Sequence, residues 1–357
     1  MKDSYQTIHI DINNANQRLD RFLRKMYKPY TSVNLPMLFS WIRKWYVRVN
    51  TKKAEEKTKI LLGDTVQINI SKTIELTKTN TTKNNHDTES KATLSMIEKN
   101  IIYEDKQRLV FNKPPHILMH PWSGSKTITM NDWLYSYLNL ERQEKWQNIL
   151  TQWSTFKPAF CYRLDKDTSG VLIAAKTYEA LQYLNEKIRL REVTKWYIVV
   201  CAGKLPKSLI IDKPLFKWFH AEKGKAHMFV NHEKWLDSVT HIYSLTSKKD
   251  SFIGEMSLWL VRLMTWRMHQ IRVHLVSEGY PVIGDKEYGN AIMAKQIQET
   301  KNIHRQLLHS TAYSFYDIYS KKEQQFIAPI SPDIQKIFPD ITVDIIQNRI
   351  NAILKDQ

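Results

Sequence analysis

The chain has 357 residues, a length that suggests two domains. Hydrophobic residues make up 42% of it, which is enough for a folded core. Its 53 Lys and Arg exceed its 36 Asp and Glu. The net charge of +17 fits a polyanionic partner, either nucleic acid or an anionic membrane surface, and composition alone fits a generally basic, solvated surface equally well. The two cysteines, Cys161 and Cys201, exclude a disulfide framework, and no Cys/His spacing suits a metal. Without an apolar signal segment or a spanning apolar run, we expect a cytoplasmic protein.

Positive charge is concentrated near the N-terminus, where residues 1–60 carry 13 Lys and Arg against 5 Asp and Glu. Residues 18–26 place apolar side chains at helical spacing, with arginines mostly on the other faces. A second helix is predicted from Pro36, and two alternating strands follow with a turn at Gly63 between them. The order helix, helix, strand, turn, strand over residues 15–71 indicates a small basic module.

The next segment changes character, because residues 71–92 are rich in Thr, Asn, Lys and Ser and cannot bury a core. From Ile101 strand-like apolar runs alternate with helical stretches such as residues 178–190, which predicts a mixed α+β domain. We expect the final segment to form a peripheral helix. The predicted divisions are a module at 1–75, a flexible linker at 76–98, the main domain at 99–339 and a tail helix at 340–357.

Residues 162–170 contain the most informative motif, since Asp, Thr, Ser and Gly together favour a tight turn before an apolar strand. Asp165 on such a turn would be held rigidly beside a sheet, which suits nucleophilic or base chemistry. The alternative is a plain loop in which the aspartate only caps a turn, and for an isolated Arg-Leu-Asp tripeptide this is the more frequent case.

A second polar cluster lies at residues 267–275, which include two His, two Arg and one Gln. His269 and His274 are five residues apart, so one helix face would not present both as metal ligands. The cluster either binds phosphate and carboxylate groups or forms an internal hydrogen-bond network. Taken alone, residues 112–116 indicate only a turn and residues 195–197 only a buried strand.

Taken in order, these segments resemble the pseudouridine synthase family that modifies large-subunit ribosomal RNA. The matching motifs are NKPPH at 112–116, RLDKDTSG at 163–170, KWY at 195–197, RMHQIRVHLVSEGYPVIGDKEYG at 267–289 and RQLLHS at 305–310. The resemblance spans about residues 99–335, and the ordered set is far more specific than any single motif. It implies an α+β catalytic domain with a mixed, largely antiparallel sheet. Residues 18–70 are similar to the alpha-L RNA-binding module, with Thr51 replacing its usual Gly.

The resemblance also implies a role for individual residues. Asp165 would be the catalytic aspartate, with Arg272 as its paired cation and Tyr197 packed against the target uracil. Arg163 would fill the gap that the flipped base leaves in the RNA, and Asp167 would stabilise the loop. Further RNA contacts are predicted for Lys113, Arg267 and His269 near the site, and for Arg18, Arg21, Arg43, Lys44 and Arg48 in the N-terminal module.

The predicted reaction isomerises a uridine in RNA after its base is flipped out of the stack. Uracil is a tolerable leaving anion, so we expect no metal and no small-molecule cofactor. RNA is the expected partner, with no membrane association and a monomeric protein. Tyr162 stands where the family has His, and Trp266 where it has Gly. Neither change removes a residue that the chemistry needs, so we expect activity.

The sequence leaves two alternative functions open. The chain could be a non-catalytic RNA-binding or ribosome-assembly protein with a degenerate synthase domain, which the departures at Tyr162 and Trp266 motivate. Asp165 and Asp167 also resemble the start of an aspartyl-phosphate hydrolase motif, although Ser169 occupies the fifth position and no downstream Lys and acid pair suits magnesium. A membrane-surface role is disfavoured, because the apolar face of residues 18–26 is short and suits packing.

Overall fold

The computed structural model describes residues 5–27, 35–69, 95–121, 127–145, 158–204, 206–220, 225–230 and 236–356. The chain divides into two compact units. Unit 1 comprises Met1–Met96, Leu134–Ala159 and Ala175–Gln182, and unit 2 comprises Ile97–Trp133, Phe160–Ala174 and Tyr183–Gln357. The linker predicted at 76–98 lies outside the described residues except for its last four positions.

Helices and strands alternate along the described residues. The helices are α1 (Leu19–Tyr27), α2 (Leu35–Arg43), α3 (Met130–Lys145), α4 (Tyr178–Arg189), α5 (Gln270–Ser277), α6 (Ala291–Lys301), α7 (Pro332–Ile337) and α8 (Val343–Lys355). The strands are β1 (Tyr5–His9), β2 (Gln17–Arg18), β3 (Val47–Val49), β4 (Lys52–Lys53), β5 (Lys59–Ile60), β6 (Thr65–Asn69), β7 (Ile101–Glu104), β8 (Arg108–Lys113), β9 (Ala159–Phe160), β10 (Ser169–Ala175), β11 (Val193–Ala202), β12 (Ser208–Asp212), β13 (Leu215–His220), β14 (Lys225–Val230), β15 (Val239–Asp250), β16 (Gly254–Leu263), β17 (Leu308–Asp317) and β18 (Lys322–Ile327). None of the described helices is long and apolar enough to cross a membrane.

In unit 1 the apolar face of α1 packs against α2 and a small sheet of order β1-β6-β3-β4. Leu19, Phe22 and Leu23 are buried there, as the helical spacing predicts. The turn between β3 and β4 has positive φ at both Asn50 (50°) and Thr51 (65°). A β-branched residue is costly in that region, so the substitution of Thr for the usual Gly strains this turn.

Unit 2 is built on a ten-stranded sheet with the main order β12-β15-β16-β11-β17-β10-β8-β7, to which β18 and β9 add at β17 and β10. The pair β10–β17 is parallel, whereas β11 pairs antiparallel with both β16 and β17, and β15 pairs antiparallel with β12 and β16. The predicted mixed, largely antiparallel sheet of an α+β domain is therefore confirmed.

Alternation along β11 gives the sheet two buried faces. Trp196, Ile198 and Val200 point into one core, which α8 covers, while Val193 belongs to a second core with Tyr313. The C-terminal segment does form a helix, but Ile346, Ile350 and Ile353 on α8 are buried in the first core. This helix is therefore part of the core of unit 2 rather than a peripheral element. Residues 195 and 197 fall on the second face, as the period of two requires.

Candidate active site

Asp165 lies on the loop between β9 and β10, and its side chain is 28% exposed. The amide of Thr168 donates to the Asp165 carbonyl at 3.1 Å, which closes the predicted tight turn. Asp167 also borders the cleft, but its carboxylate contacts the His116 ring at 2.8 Å. The two aspartates of the loop therefore have different partners, because Asp165 lies near Arg272 and Asp167 is bonded to His116.

Two buried cations hold three successive carbonyl groups of this loop. The Lys113 ammonium donates to the carbonyl oxygens of Lys166 and Thr168 at 2.8 and 3.0 Å. The Arg305 guanidinium donates to the carbonyl oxygen of Asp167 at 2.9 Å. Because charge-assisted bonds are strong and both cations are almost fully buried, the loop is fixed from both sides.

Lys113 is therefore not placed where it was expected. It was predicted to contact RNA, but its side chain is fully buried beneath the Asp165 loop. Burial lowers the pKa of Lys113 to about 7, with the charge of Arg305 acting in the same direction and those of Asp167 and Asp165 opposing it. The carbonyl contacts favour the ammonium form, since it has three protons to donate. Its position suits support of the loop.

Two glycines of the motifs allow close approaches between backbone segments near the site. A Cβ atom on Gly170, which has φ of 109°, would lie 2.0 Å from the Ser310 carbonyl oxygen. A Cβ atom on Gly284 would lie 2.0 Å from the Arg305 carbonyl oxygen. Both positions require glycine, which gives the TSG and GD segments of the sequence a physical explanation.

Arg272, in the first turn of α5, is the buried cation nearest to Asp165. Its Nη1 lies 3.6 Å from Asp165 Oδ2. Its stronger partner is Asp285, which accepts from Nε and Nη2 at 2.7 and 2.8 Å, and Glu287 also accepts from Nη2 at 2.9 Å. The bidentate pair anchors the guanidinium, while the longer contact leaves the Asp165 carboxylate available to a substrate.

Burial disfavours the charged forms of both Arg272 and Asp285, but the contact between the two side chains favours those forms more strongly. For Asp285, burial alone would raise the pKa, whereas the hydrogen bonds and charge of Arg272 lower it below the ordinary value. For Arg272, burial would lower the pKa, whereas Asp285 and the neighbouring carboxylates raise it above the ordinary value. The guanidinium therefore stays charged beside Asp165.

His269 completes the charged side of the cleft. It occupies the N-cap of α5 with φ of 54°, in the left-handed region. Its Nδ1 lies 2.8 Å from the Tyr288 hydroxyl, and its Nε2 lies 3.7 Å from Asp165 Oδ1. Tyr288 in turn accepts the amide of Met228 at 3.0 Å, and its ring lies 4.7 Å from the Arg272 guanidinium carbon. The strained backbone of His269 is therefore held by contacts on both ring nitrogens.

Tyr197 approaches the site from β11 at an irregularity in the sheet. The register with β17 shifts between Trp196 and Tyr197, so that Thr311 opposes neither of them. Such bulges re-aim side chains next to active sites. The Tyr197 hydroxyl bonds to the Ser310 side chain, and the residue is 7% exposed. Burial, with a smaller contribution from the charge of Asp165, raises the pKa of Tyr197, so the phenol remains protonated.

A cleft of about 190 Å³ has Asp165, His269 and Arg272 in its wall. Lys286 and Glu287 also line it, so the cleft carries charges of both signs. A volume of this order suits a single nucleobase with part of its sugar more than it suits a large ligand. Its lysine and arginine side chains suit a substrate that carries phosphate.

The other predicted RNA contacts are spread over both units. Near the cleft Arg163 is exposed, and the half-buried Arg267 donates to the Asp237 carbonyl oxygen at 3.2 Å. In unit 1, Arg18 pairs with Asp20 at 2.9 Å. The remaining predicted contacts in that unit are exposed at Arg21, Arg43 and Lys44 and half-buried at Arg48, whose guanidinium carbon lies 4.4 Å from the centre of the Tyr5 ring.

The residue-level prediction assigned no role to three groups that the structure places at the site. Asp285 and Tyr288 belong to the GDKEYG segment, and Arg305 opens RQLLHS. Both segments were recognised as motifs, but sequence spacing does not show that Asp285 is the main partner of Arg272. It also does not show that Arg305 reaches the Asp165 loop across 138 residues.

The chain is similar over most of its length to several known proteins. A model of the family described as RNA pseudouridylate synthase matches residues 107–277. Ribosomal large subunit pseudouridine synthase C of Buchnera aphidicola subsp. Schizaphis graminum is 31% identical over 329 residues, covering 92% of this chain and 94% of that protein. Ribosomal large subunit pseudouridine synthase D of Shigella flexneri is 29% identical over 346 residues, covering 95% and 94%. The structure of human RNA pseudouridylate synthase domain containing 4 is similar in fold, with a TM-score of 0.54, 19% identity, and coverage of 70% and 96%.

Proposed function

Because the chain belongs to the RNA pseudouridylate synthase family and is a pseudouridine synthase, we propose that it isomerises uridines of large-subunit ribosomal RNA and that Asp165 carries the chemistry. The observation that carries this proposal is the contact of Asp165 Oδ2 with the buried Arg272 at 3.6 Å, inside a small cleft of mixed charge. The substrate class rests on the names of the relatives.

An ionised Asp165 can begin the reaction at the ribose by adding to C1′ or by removing the proton from C2′. In either route the N1–C1′ bond of uridine breaks, the uracil turns, and C5 bonds to C1′. The proton on C5 leaves, N1 gains one, and no atom is lost or gained overall. Both routes need the carboxylate form, and Arg272 places a fixed positive charge 3.6 Å from it.

The target base must leave the RNA stack before Asp165 can reach its sugar, which costs a few kcal/mol. Tyr197 lies close enough to the site that, besides burial, the charge of Asp165 raises its pKa, and stacking of a base on such a ring would return roughly 1–3 kcal/mol. The raised pKa of its phenol keeps the ring neutral, so it does not repel an anionic uracil. Arg163 is exposed next to the loop, where it can fill the gap left in the RNA.

Residues 1–75 are proposed to hold structured RNA through phosphate contacts. Arg21, Arg43 and Lys44 are exposed on this module, as phosphate binding requires. Deleting residues 1–75 should weaken RNA binding and reduce the slope of log affinity against log salt. An unchanged slope would remove this part of the proposal.

The remaining parts of the proposal concern the state of the protein. We propose that residues 99–339 form the catalytic domain, and that the protein acts in the cytoplasm as a monomer without a metal or small-molecule cofactor. Activity of the purified protein after EDTA treatment, with its mass determined by light scattering, tests these statements.

The proposed substrate is tested by mapping pseudouridines in ribosomal RNA from cells that lack the gene, complemented with wild type or Asp165→Asn. We expect one or a few pseudouridines to disappear from large-subunit RNA and to return only with the wild type. If ribosomal RNA is unchanged and transfer RNA loses pseudouridines instead, the substrate assignment is wrong. Restoration by Asp165→Asn would remove the assignment of the catalytic residue.

A further inference from the structure

Lys195 is a buried cation close to the site that the mechanism above does not use. It lies on β11 two residues before Tyr197 and is 4% exposed. No carboxylate among the described residues forms an ion pair with it. Its ammonium faces aromatic rings instead, with Tyr162 at 4.1 Å, Trp266 at 4.6 Å and Tyr313 at 5.5 Å from the ring centres.

These three rings form a box with defined internal contacts. Tyr162 stacks on Tyr313 with ring centres 5.1 Å apart and planes 7° apart. The Tyr162 hydroxyl donates to the carbonyl oxygen of Val171 at 2.8 Å, which fixes the ring. Because cations are attracted to the faces of aromatic rings, the box stabilises the ammonium form of Lys195 without a carboxylate.

Two walls of the box are the residues at which this chain departs from the family pattern. Tyr162 stands in place of His, and Trp266 in place of Gly. Sequence alone suggests two unrelated changes 104 positions apart, but in the fold both rings contact the same ammonium. Their meeting at Lys195 indicates that the two changes act together.

The box lies immediately beside the strand irregularity that presents Tyr197. Lys195 pairs with Tyr313 across β11 and β17, whereas Tyr197 pairs with Ser310 after the register shift. The side chains of Lys195 and Tyr197 share one face of the strand, because they are two residues apart. Trp196 and Ala312 form the last regular pair before the shift that aims Tyr197, so holding Lys195 against the Tyr313 ring fixes the pair next to it.

We propose that Lys195, enclosed by Tyr162, Tyr313 and Trp266, is a positioning residue that sets the Tyr197 ring against the target uracil. Tyr162 and Trp266 form a coupled pair that supports this lysine. The inference rests on the proposed function, since it concerns the placement of the residue that meets the base. Lys195 itself does not contact the substrate.

The test compares the full-length protein with Lys195→Met, Lys195→Arg and Trp266→Leu. Methionine keeps the length of the side chain without charge, and leucine fills space without a ring face. Single-turnover pseudouridine formation and RNA affinity are measured separately on a large-subunit RNA fragment. We expect Lys195→Met and Trp266→Leu to lower the rate constant about 10- to 100-fold, because a shift of the Tyr197 ring by up to about 1 Å has an effect of this size. RNA affinity should change less than about twofold. Lys195→Arg should recover part of the rate, since a guanidinium also stacks on rings.

The dependence of the rate on pH distinguishes positioning by charge from simple packing. Burial lowers the pKa of Lys195 to about 7, with Cys161 opposing, and the rings also favour the charged form. As pH rises and the ammonium loses its proton, its attraction to the box is lost and the wild-type rate should fall. This alkaline decline should be absent in Lys195→Met.

The other titratable groups that face Lys195 are Cys161, Tyr162 and Tyr313. Burial raises the pKa of both tyrosines well above the ordinary value, so they do not titrate in this range. Cys161→Ser is therefore the matched control, and it should keep the alkaline decline. If Cys161→Ser removes the decline, the cysteine rather than the lysine is responsible.

A double-mutant cycle tests the coupling of the two walls. Trp266→Gly and Tyr162→His each restore the family residue, and together they should cost less than the product of their single effects. Independent effects would show that the walls are not coupled.

If Lys195→Met keeps the wild-type rate, or loses rate with its alkaline decline intact, the positioning role is overturned. A wild-type protein without any activity would instead refute the proposed function.

Discussion

The cations near Asp165 and those of the N-terminal module differ in what surrounds them. Around the cleft Lys113, Arg272 and Arg305 are almost fully buried and bonded to carbonyl or carboxylate oxygens. In the module Arg43 and Lys44 are exposed. Buried, paired charges cannot rearrange, which suits the placement of reacting groups, whereas exposed charges can meet phosphates at many angles.

Positive charge therefore has two separate uses in this chain. The net charge of +17 counts both, but only the exposed cations can meet a polyanion from solution. We expect the buried cations to hold the Asp165 loop and its partners, and so to contribute to rate rather than to affinity. Variants of the buried cations should therefore lower the rate constant and keep RNA affinity. Variants of the exposed cations should lower RNA affinity and keep the rate constant.

The largest effect is expected for Asp165→Asn. Losing the carboxylate that lies beside Arg272 Nη1 should lower the rate constant by at least about 10³-fold, because the amide can neither add to C1′ nor take a proton. Asp167→Asn is the matched control and should retain most of the rate, since Asp167 contacts His116 outside the chemistry. Single-turnover product formation measures both, and equal losses would contradict the distinction between the two aspartates.

Arg272→Met should come next, through both stability and rate. It leaves Asp285, which is 1% exposed, without its bidentate partner, and breaking a buried ion pair costs about 3–5 kcal/mol. Urea unfolding measures this loss. Arg267→Met, from the same segment but half-buried, should change stability by less than about 1 kcal/mol. A stable Arg272→Met protein would contradict the anchoring role of the pair.

Lys113→Met separates the predicted RNA contact from support of the loop. Losing the bonds to Lys166 and Thr168 should lower the rate constant about 10-fold and leave the salt dependence of RNA binding unchanged. Lys166→Met, at an exposed position that lines the cleft, should show the reverse pattern. A reduced salt slope in Lys113→Met would restore its role as an RNA contact.

Acid should destabilise the protein through two buried histidines. Burial lowers the pKa of His309 to about 3 and that of His274 to about 4, whereas an unfolded histidine titrates near 6.5. The unfolded chain then binds more protons, so the free energy of unfolding falls as pH drops below about 6.5. The expected loss is about 2 kcal/mol per histidine at pH 5.

Urea unfolding between pH 7 and 5 measures this slope. His309→Gln should make it shallower, whatever its effect at pH 7, and the exposed His9→Gln should leave it unchanged. An unchanged slope in His309→Gln would show that this histidine binds its proton as readily in the fold as in the unfolded chain.

Local patterns predicted much of the architecture because each pattern depends on neighbours in sequence. The helical face of Leu19, Phe22 and Leu23 and the turn at Asp165 are of this kind. The mixed sheet, and the proposal of Asp165, Arg272 and Tyr197 as catalytic residues, followed from the ordered motifs. The contact between Asp165 and Arg272 joins two of these motifs as expected.

Other features depend on contacts between distant segments, which spacing does not reveal. Lys113 and Arg305 reach the same loop from residues 53 and 138 positions away, so their burial could not be predicted from composition. The preference of Arg272 for Asp285 and the register shift beside Tyr197 likewise follow from the packing of the sheet. A lysine in a motif of an RNA enzyme is naturally expected to meet phosphate, and only the fold shows it facing inward.

The most direct test measures RNA affinity and single-turnover rate together for Asp165→Asn and for a protein with both Arg43→Gln and Lys44→Gln. The account predicts wild-type affinity without product for the first. For the second it predicts several-fold weaker binding, a salt slope smaller by about 1–2, and a near wild-type rate at saturating protein. Product from Asp165→Asn, or a slow rate with unchanged affinity in the module variant, would contradict it.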